Sequence, residues 1–280
     1  YIQLHIHTDG KAIIHYVGII PANYPLKERG VFESDNMLHN RIYRTCVRTL
    51  KLCMHEHYED CPWREQALYA ADSRNQMLAG YYVFGNYAFA RQSLSLLGDS
   101  FGDDGFQSMC APTDEKLKIP SFTFIWFLAV KEYIEFSGDI SFVRDYIDEI
   151  ESAVKCYTTD ITDGLAVPPE GEEYWNFYEW SEGHVGVEKF RKNLNFCDGL
   201  YNMFLYLALK SALAIARQLG ENRFVSRYSP FAESIKESVN RVFWDNERKL
   251  YAAYTVDGKR LQYGELAQAI AGYTGIADCE

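Results

Sequence analysis

From about residue 34 onward, hydrophobic residues recur at helical spacing in one segment after another, and this pattern constrains the fold of the 280-residue chain most. Ser34-Asp35 is a capping sequence for the first segment, which runs to about Met54. The later segments cover residues 62 to about 84, 87–97, 120–136, 140 to about 158, 196–219, 221–243 and 261–273. About eight helices in up-down pairs predict a mainly α protein, a helical toroid or solenoid.

The first thirty residues follow a different pattern. Residues 1–7 alternate apolar and polar side chains, residues 11–17 are rich in β-branched and aromatic ones, and Asp9-Gly10 lies between them. This order predicts a β-hairpin. The two prolines in residues 21–30 indicate a linker. We therefore predict a short N-terminal β segment with its linker (1–30) and a helical domain (31–280), with little other β structure beyond an extended piece at 251–255.

The net charge of −11 argues against nucleic acids and anionic membranes as partners. The 21 tyrosines outnumber the 17 phenylalanines, which favours partly hydrated surfaces such as a carbohydrate-binding cleft. The longest apolar run, residues 122–130, is too short to span a bilayer. The chain begins with Tyr1 rather than Met, so a preceding targeting segment is left open, and so is the compartment, cytoplasmic or periplasmic.

Seven cysteines form no CxxC pair, which predicts reduced and mostly buried thiols. Cys46 and Cys53 lie seven residues apart on a predicted helix, and we expect both to pack in the core. His55-Glu56-His57 has the composition of a metal site, but no further ligands can be named, so no metal is predicted. The sequence contains no G-x-S-x-G, P-loop or G-x-G-x-x-G motif, and no cofactor is predicted.

The segment from Asp60 to Asp72 is the strongest candidate for chemistry. Pro62 suits the first position of a helix. On such a helix one stripe would carry Glu65, Tyr69, Asp72 and Gln76, at i, i+4, i+7 and i+11. Two acids beside an aromatic ring are how proteins hold and cleave sugars. The alternative is an ordinary solvated helix face, since short charged stripes are common.

A second candidate lies in the long loop predicted over residues 160–193. Its central part reads Glu-Gly-Glu-Glu-Tyr-Trp-Asn-Phe-Tyr-Glu-Trp from Glu170 to Trp180. Long loops without regular structure are usually functional or disordered, and this one is too aromatic for disorder. Tryptophan rings stack on sugar faces and acids accept hydrogen bonds from hydroxyls. The alternative is a loop that packs its own aromatic core.

These residues resemble a known family. Residues 30–42, Gly-Val-Phe-Glu-Ser-Asp-Asn-Met-Leu-His-Asn-Arg-Ile, look like the entry into the catalytic domain of α-L-rhamnosidases of glycoside hydrolase family 78. Asp60-Cys61-Pro62, with Glu65 and Asp72, is similar to the signature of that family. The Glu179-Trp180 pair is a weaker match to an Asp-Trp pair. The resemblance covers about residues 28–275.

The resemblance implies an (α/α)6 toroid of twelve helices that hydrolyses terminal α-L-rhamnosides with inversion. It makes Glu65 the general acid, while Asp60 and Asp72 hold rhamnose hydroxyls. Trp175, Glu179 and Trp180 would line the sugar pocket. Residues 1–30 would be the tail of a preceding β domain. Inversion also needs a proton on the acid near neutral pH, which partial burial and the neighbouring Asp60 and Asp72 would supply for Glu65.

The general base of the family lies in a later Gly-Ala-Thr-Thr-x-Trp-Glu segment that does not occur in this sequence. We therefore expect an incomplete toroid that hydrolyses rhamnosides poorly by itself, and leave Glu265, a late acid on a predicted helix, unassigned. The predicted partner is a rhamnose-containing glycoside or polysaccharide. Two alternatives are another six-hairpin exo-glycosidase and a non-catalytic carbohydrate-binding module.

Overall fold

The computed structural model describes residues 3–186 and 195–277, and these are mainly helical after residue 36. The helices are α1 (Met37–Leu52), α2 (Ala70–Val83), α3 (Ala88–Gly98), α4 (Pro120–Ser137), α5 (Ser141–Arg144), α6 (Ile147–Thr159), α7 (Gly199–Leu219), α8 (Asn222–Phe243) and α9 (Glu265–Thr274). The strands are β1 (Ile161–Thr162), β2 (Leu165–Ala166), β3 (Phe196–Asp198), β4 (Trp244–Asp245), β5 (Leu250–Tyr251), β6 (Tyr254–Val256) and β7 (Lys259–Leu261). The prediction of a mainly α chain is confirmed.

The helices form two layers. Four of them lie side by side as an inner layer, because α4 packs between α2 and α7, and α7 also packs against α9. Four others cover this layer from outside, with α1 on α2, α3 on α4, and both α6 and α8 on α7. Since inner and outer helices alternate along the chain, the inner helices share one direction. Their first turns therefore meet at one end, called here the N-terminal end of the inner layer.

Local signals set several helix ends. Pro120 occupies the first turn of α4, where its missing N–H costs nothing. Gly138 and Gly220 end α4 and α7 with left-handed backbones, at φ of 72° and 78°. Asp198 caps α7 by accepting a hydrogen bond from the Tyr201 N–H at 2.9 Å. The cap of α1 is Asn36, not the predicted Ser34-Asp35.

The centre of the core is α7. Every residue from Gly199 to Leu209 is buried, as expected for a helix that is apolar on all sides. By length and composition alone this helix could cross a membrane, but 89% of its apolar window is buried inside the fold, and core helices pass the same test. Around it, α4 contributes Phe124, Trp126 and Phe127, which are fully buried.

The predicted N-terminal hairpin is wrong. Residues 3–20 contain no strand, and large apolar side chains such as Ile13 and Tyr16 are exposed. Alternation alone does not form a hairpin without a neighbouring sheet on which to bury one face. The β structure lies instead after residue 160, in two hairpins and a three-stranded antiparallel sheet in the order β3-β6-β7, which pairs Asp198 with Tyr254.

The start predicted for the second helix, at Pro62, is also wrong, because α2 begins only at Ala70, while its predicted end near residue 84 is correct. Residues 62–65 form a turn and residues 66–69 an irregular segment, in which Gln66 has a positive φ of 52°. Other boundaries shift as well. The segment predicted at 140–158 is divided into α5 and α6, the first residues predicted for α7 form β3, and the late helix begins at Glu265.

Of two further predictions, one is wrong in part and the other lies partly outside the described residues. Cys46 is exposed on α1 and does not pack in the core, while Cys53 is buried as expected. The loop predicted at 160–193 contains the β1–β2 hairpin and irregular structure up to residue 186, and its residues 187–193 lie outside the described part.

Candidate active site

The segment 60–69, called here the acid loop, is closed by two hydrogen bonds between its ends. The Asp60 N–H donates to the Ala67 carbonyl at 3.0 Å, and the Ala67 N–H donates to Asp60 Oδ1 at 2.9 Å. This pairing takes the place of the predicted first helical turns. It fixes the Asp60 carboxylate and leaves residues 62–66 exposed at the tip of the loop.

Glu65 lies at this tip and is exposed, contrary to the expected partial burial. Its backbone N–H faces Cys61 Sγ at 3.4 Å, and its Oε2 accepts a hydrogen bond from the Tyr69 hydroxyl at 3.1 Å. Burial raises the pKa of the Tyr69 hydroxyl, and the hydrogen bond to Glu65 raises it further. Tyr69 is therefore a neutral donor that orients the Glu65 carboxylate.

Asp72 lies in the first turn of α2 and is half-buried. The pKa of its carboxyl is raised, first by burial and then by the negative charges of Asp60 and, more weakly, of Glu65. The structure thus brings together the three acids predicted from their spacing. It does so with a loop followed by one helical turn and not with a single helix stripe.

The segment 174–184, called here the aromatic loop, crosses the same end of the molecule. Three of its rings pack together, with centroid distances of 4.8 Å from Trp175 to Phe177, 4.9 Å from Phe177 to Trp180, and 5.7 Å between the two tryptophans. Trp180 is 78% exposed, so one face of the cluster is open to a ligand. The predicted residues Trp175 and Trp180 therefore lie in one cluster.

Phe122 of α4 connects the two loops. Its ring lies 6.1 Å from Tyr69 and 5.9 Å from Phe177, edge-on in both cases. The neighbouring Ser121 hydroxyl donates to the Phe177 carbonyl at 2.6 Å. The acids and the tryptophans are thus adjacent regions of one surface at the start of α4.

The aromatic loop is also tied to the starts of α7 and α9. The Tyr178 hydroxyl donates to Oδ2 of Asp198, the cap of α7, at 2.7 Å. Gly264, the residue before α9, lies so close to His184 that a Cβ there would be 3.1 Å from His184 Cε1. Together with the acid loop, which leads into α2, the surface therefore spans the N-terminal end of the inner layer.

Glu179 is held by its own loop. Its Oε1 accepts hydrogen bonds from the Ser181 hydroxyl at 2.7 Å and from His184 Nδ1 at 2.8 Å. These donors hold the pKa of the Glu179 carboxyl below its usual value, with Ser181 the larger cause. His184 is buried, and its Nε2 has no partner among the described residues. Ser181 and His184 were not predicted, although the spacing of His184 five residues after Glu179 was visible in the sequence.

Two further questions from the sequence concern metal ligands and Glu265. Within residues 3–186 and 195–277, no three His, Cys, Asp or Glu side chains converge as metal ligands. Glu265, left unassigned above, is exposed in the first turn of α9. What the surface offers is a group of carboxylates beside an open aromatic cluster, an arrangement suited to hydroxyl-rich ligands.

Comparison with known proteins agrees with this chemistry. Residues 27–268 match the bacterial α-L-rhamnosidase six-hairpin glycosidase domain. The family 78 rhamnosidase of Bacillus sp. GL1 superposes with a TM-score of 0.81 at 28% identity, covering 92% of this chain and 26% of that one. No curated protein sequence matches the chain.

Two more distant structures share the fold. The Klebsiella oxytoca rhamnosidase with rhamnose bound has a TM-score of 0.71 at 18% identity, covering 92% of this chain and 46% of that one. The Streptomyces avermitilis α-L-rhamnosidase complexed with L-rhamnose has a TM-score of 0.69 at 14% identity, covering 90% and 22%. The chain thus spans about a quarter to a half of the length of these proteins, and its fold is the six-hairpin toroid type expected from the sequence. By the match over residues 27–268, the chain belongs to the bacterial α-L-rhamnosidase six-hairpin glycosidase family.

Proposed function

We propose that the protein containing this chain hydrolyses terminal α-L-rhamnosides with inversion of configuration. The observation that carries the proposal is the group of three neighbouring carboxylates, Asp60, Glu65 and Asp72, beside an exposed tryptophan cluster. Family membership supports the reaction class, and the rhamnose bound in two structures of the same fold supports the sugar. The substrate is a rhamnose-containing glycoside or polysaccharide.

Glu65 is the proposed general acid. It is exposed at the tip of the acid loop, where a glycosidic oxygen has access to it, and Tyr69 orients it. A general acid must lie within hydrogen-bond reach of the leaving oxygen, and exposure meets this requirement better than burial. Asp72, whose pKa is raised, is the second candidate for the proton donor because it keeps its proton to a higher pH than an ordinary Asp.

The other predicted residues would hold the sugar. We assign the rhamnose hydroxyls to Asp60 and Asp72, because the Asp60 carboxylate is held by the Ala67 N–H and Asp72 lies close by in the first turn of α2. Trp180 and Trp175 present ring surface for the apolar face of the sugar. Glu179 adds an acceptor whose orientation is set by Ser181 and His184.

Inversion needs a base about 6.5–9.5 Å from the acid, leaving room for a water molecule. We assign no base within residues 1–280, since the family segment that carries it does not occur in this sequence, and Glu265 is the first residue to test if the chain proves active by itself. We also propose that residues 1–30 are the tail of a preceding β domain with its linker, and that residues 31–280 are part of the toroid.

A panel of nitrophenyl glycosides tests the substrate, with the intact protein as enzyme. We expect hydrolysis of the α-L-rhamnoside and little hydrolysis of the other sugars. NMR of the first product tests the stereochemistry, and inversion predicts β-L-rhamnose. A preference for another sugar would support a different six-hairpin exo-glycosidase, and binding of rhamnose without turnover would support a non-catalytic module.

A further inference from the structure

Helix α1 carries a charge opposite to that of the chain as a whole. It contains three arginines, one lysine and no acid, whereas the whole chain has 39 acids against 28 lysines and arginines. Arg41, Arg44, Arg48 and Lys51 follow at i, i+3, i+7 and i+10, a spacing that places them on one side of a helix. This basic face is roughly 15 Å long, at 1.5 Å per residue. It gives an acidic protein one local surface that attracts anions.

Part of the basic face lines a cavity. The cavity has a volume of about 540 Å³ and lies between α1 and residues 21–28. Ligand sites have volumes of roughly 300–1,000 Å³, so this one is large enough for a sugar ring. From α1, Arg44 and Arg48 contribute positive charge to the lining, while Tyr43 and Val47 contribute ring and apolar surface. No acid or tryptophan of the sugar site proposed above lines this cavity, so the two are separate.

The two arginines of the cavity are available to a ligand. Arg44 and Arg48 are exposed, and neither has an ion pair within residues 3–186 and 195–277. Lys51 differs, because its Nζ is paired with Glu28 Oε1 at 2.6 Å. Guanidinium groups bind carboxylates through two parallel hydrogen bonds, and side chains at i and i+4 are neighbours on a helix. Arg44 and Arg48 can therefore bind neighbouring carboxylates of one ligand.

The wall opposite α1 is fixed at both ends. The Asn23 side chain donates a hydrogen bond to the Lys51 carbonyl at 2.9 Å, near the start of this wall. At its other end, Glu28 is paired with Lys51, and the Arg29 N–H donates to the Val83 carbonyl at 2.8 Å. The cavity therefore has its shape before a ligand binds, which lowers the entropy cost of binding.

This lining suits a ligand that combines rigid carboxylates with apolar surface. A uronate residue of a polysaccharide has both, because its carboxylate is attached directly to a ring whose C–H groups can contact Tyr43 and Val47. A neutral sugar would leave Arg44 and Arg48 without partners. An acidic peptide would have to order flexible side chains to place its carboxylates, at a further entropy cost. The repeated charges of a polyuronate also match a basic face that continues beyond the cavity to Arg41.

We infer that the basic face of α1 binds uronate residues of an acidic polysaccharide. Such binding holds the polymer on the enzyme while a terminal rhamnose of the same polymer is cleaved, since one contact raises the effective concentration for the second. The uronate site itself is independent of the proposed function, and only its link to cleavage rests on it.

Oligogalacturonate, which contains no rhamnose, tests the site in the intact protein by calorimetry. We expect binding with a Kd that rises as salt is added, because salt screens exposed charges. Arg44→Gln/Arg48→Gln should raise Kd about 3- to 30-fold, the range expected for two exposed ion pairs. The matched control is Arg223→Gln/Arg227→Gln, which removes the same charge at the same spacing from exposed positions of α8 and should leave Kd nearly unchanged.

Three results would overturn the inference. An equal rise in Kd for both double variants would mean that net charge alone attracts the ligand. Equal affinity for a neutral oligosaccharide of the same length would remove the role of the carboxylates. Tighter binding of an oligoglutamate peptide with the same number of charges would assign the face to a protein partner.

The link to cleavage is tested with a rhamnose-capped oligogalacturonate and nitrophenyl rhamnoside. Arg44→Gln/Arg48→Gln should lower kcat/KM for the anionic oligomer by about the factor measured for Kd and leave that for nitrophenyl rhamnoside unchanged. Equal losses on both substrates would overturn this link. If the enzyme cleaves no rhamnoside, the proposed function fails, and the calorimetry with oligogalacturonate still decides the uronate site.

Discussion

The acid loop and the aromatic loop both combine acids with aromatic rings but hold their acids in opposite ways. In the acid loop, Glu65 is exposed and its carboxylate has one hydrogen bond, from Tyr69. In the aromatic loop, Glu179 is held by both Ser181 and His184. The pKa of Asp72 is raised by burial and like charges, whereas the pKa of Glu179 is lowered by its donors. The acid loop thus leaves the Glu65 carboxylate accessible, and Asp72, which follows the loop in α2, keeps its proton to a higher pH than an ordinary Asp, whereas the aromatic loop holds Glu179 as a charged acceptor.

The largest expected effect comes from Glu65→Gln, which keeps the size of the side chain but cannot deliver a proton. In the intact protein it should lower kcat on an alkyl rhamnoside about 10²- to 10⁴-fold. A nitrophenyl rhamnoside, whose leaving group needs less protonation, should lose less. Glu172→Gln, at an exposed position before the aromatic loop, is the control. An equal loss on both substrates would make Glu65 a sugar contact and transfer the acid role to Asp72.

Asp72→Asn should weaken binding and rate together, lowering kcat/KM about 10- to 100-fold, because a carboxylate that holds a hydroxyl acts in both ground and transition states. If Asp72 is instead the acid, this variant will show the leaving-group dependence expected above for Glu65. The substrate pair used for Glu65→Gln therefore separates the two assignments.

Although Asp72→Asn should lower activity, it should increase the stability of the fold. The raised pKa means that the folded chain holds a proton on Asp72 that the unfolded chain releases, so stability falls as pH rises from the ordinary Asp value of 3.8 through the folded value. Asp72→Asn should therefore raise the Tm of this chain at neutral pH by about 1–4 °C. Melting curves at several pH values should show the gain shrinking towards acid pH. A lower Tm at neutral pH would contradict the burial of this charge.

Trp180→Ala should raise KM for rhamnosides about 2- to 12-fold, the range expected for loss of one ring contact. Its Tm should change little because the side chain is 78% exposed. Trp63→Ala is the matched variant, since Trp63 is 80% exposed in the acid loop. We expect a smaller increase in KM for Trp63→Ala. Equal increases for the two variants would show that both loops, and not the aromatic loop alone, supply rings that stack on the sugar.

The smallest effect is expected for Glu179→Gln. Because the pKa of Glu179 is lowered in the fold, its charge stabilises the fold above the ordinary Glu value of 4.5, and this contribution is lost as pH falls through the folded value. The variant should lower Tm by about 1–3 °C at pH 7 and lose this difference in acid. A Tm difference that is the same at all pH values would mean that the shape of the Glu179 side chain, and not its charge, determines how well Ser181 and His184 hold it.

The sequence predicted features whose causes are local. Pro120, Gly138 and Gly220 set helix ends through their own backbone preferences, and the prediction at each was correct. Pro62 has the same preference, but the hydrogen bonds between Asp60 and Ala67 hold its segment in a loop. A local preference for the first helical turn is weak enough for such a pair of bonds to override it.

The proximity of the three acids could be predicted because spacing alone brings these residues together. Asp60, Glu65 and Asp72 lie within thirteen residues of chain, so loop and helix both place them near one another. The connection through Phe122 depends on how α4 packs, and no pattern in the sequence indicates it. The unpaired buried nitrogen of His184 is likewise visible only in three dimensions.

The shared direction of the inner helices has an electrostatic consequence. Each helix carries roughly half a positive charge at its N-terminus. Asp72 and Glu265 lie in the first turns of α2 and α9, and Asp198 caps α7, so acids of this chain lie at three such termini. The backbone thus offsets part of the repulsion among the acids gathered at this end. These partial charges belong to the peptide groups and are a permanent part of the chain. Added salt therefore screens them but cannot displace them, as it could displace bound cations.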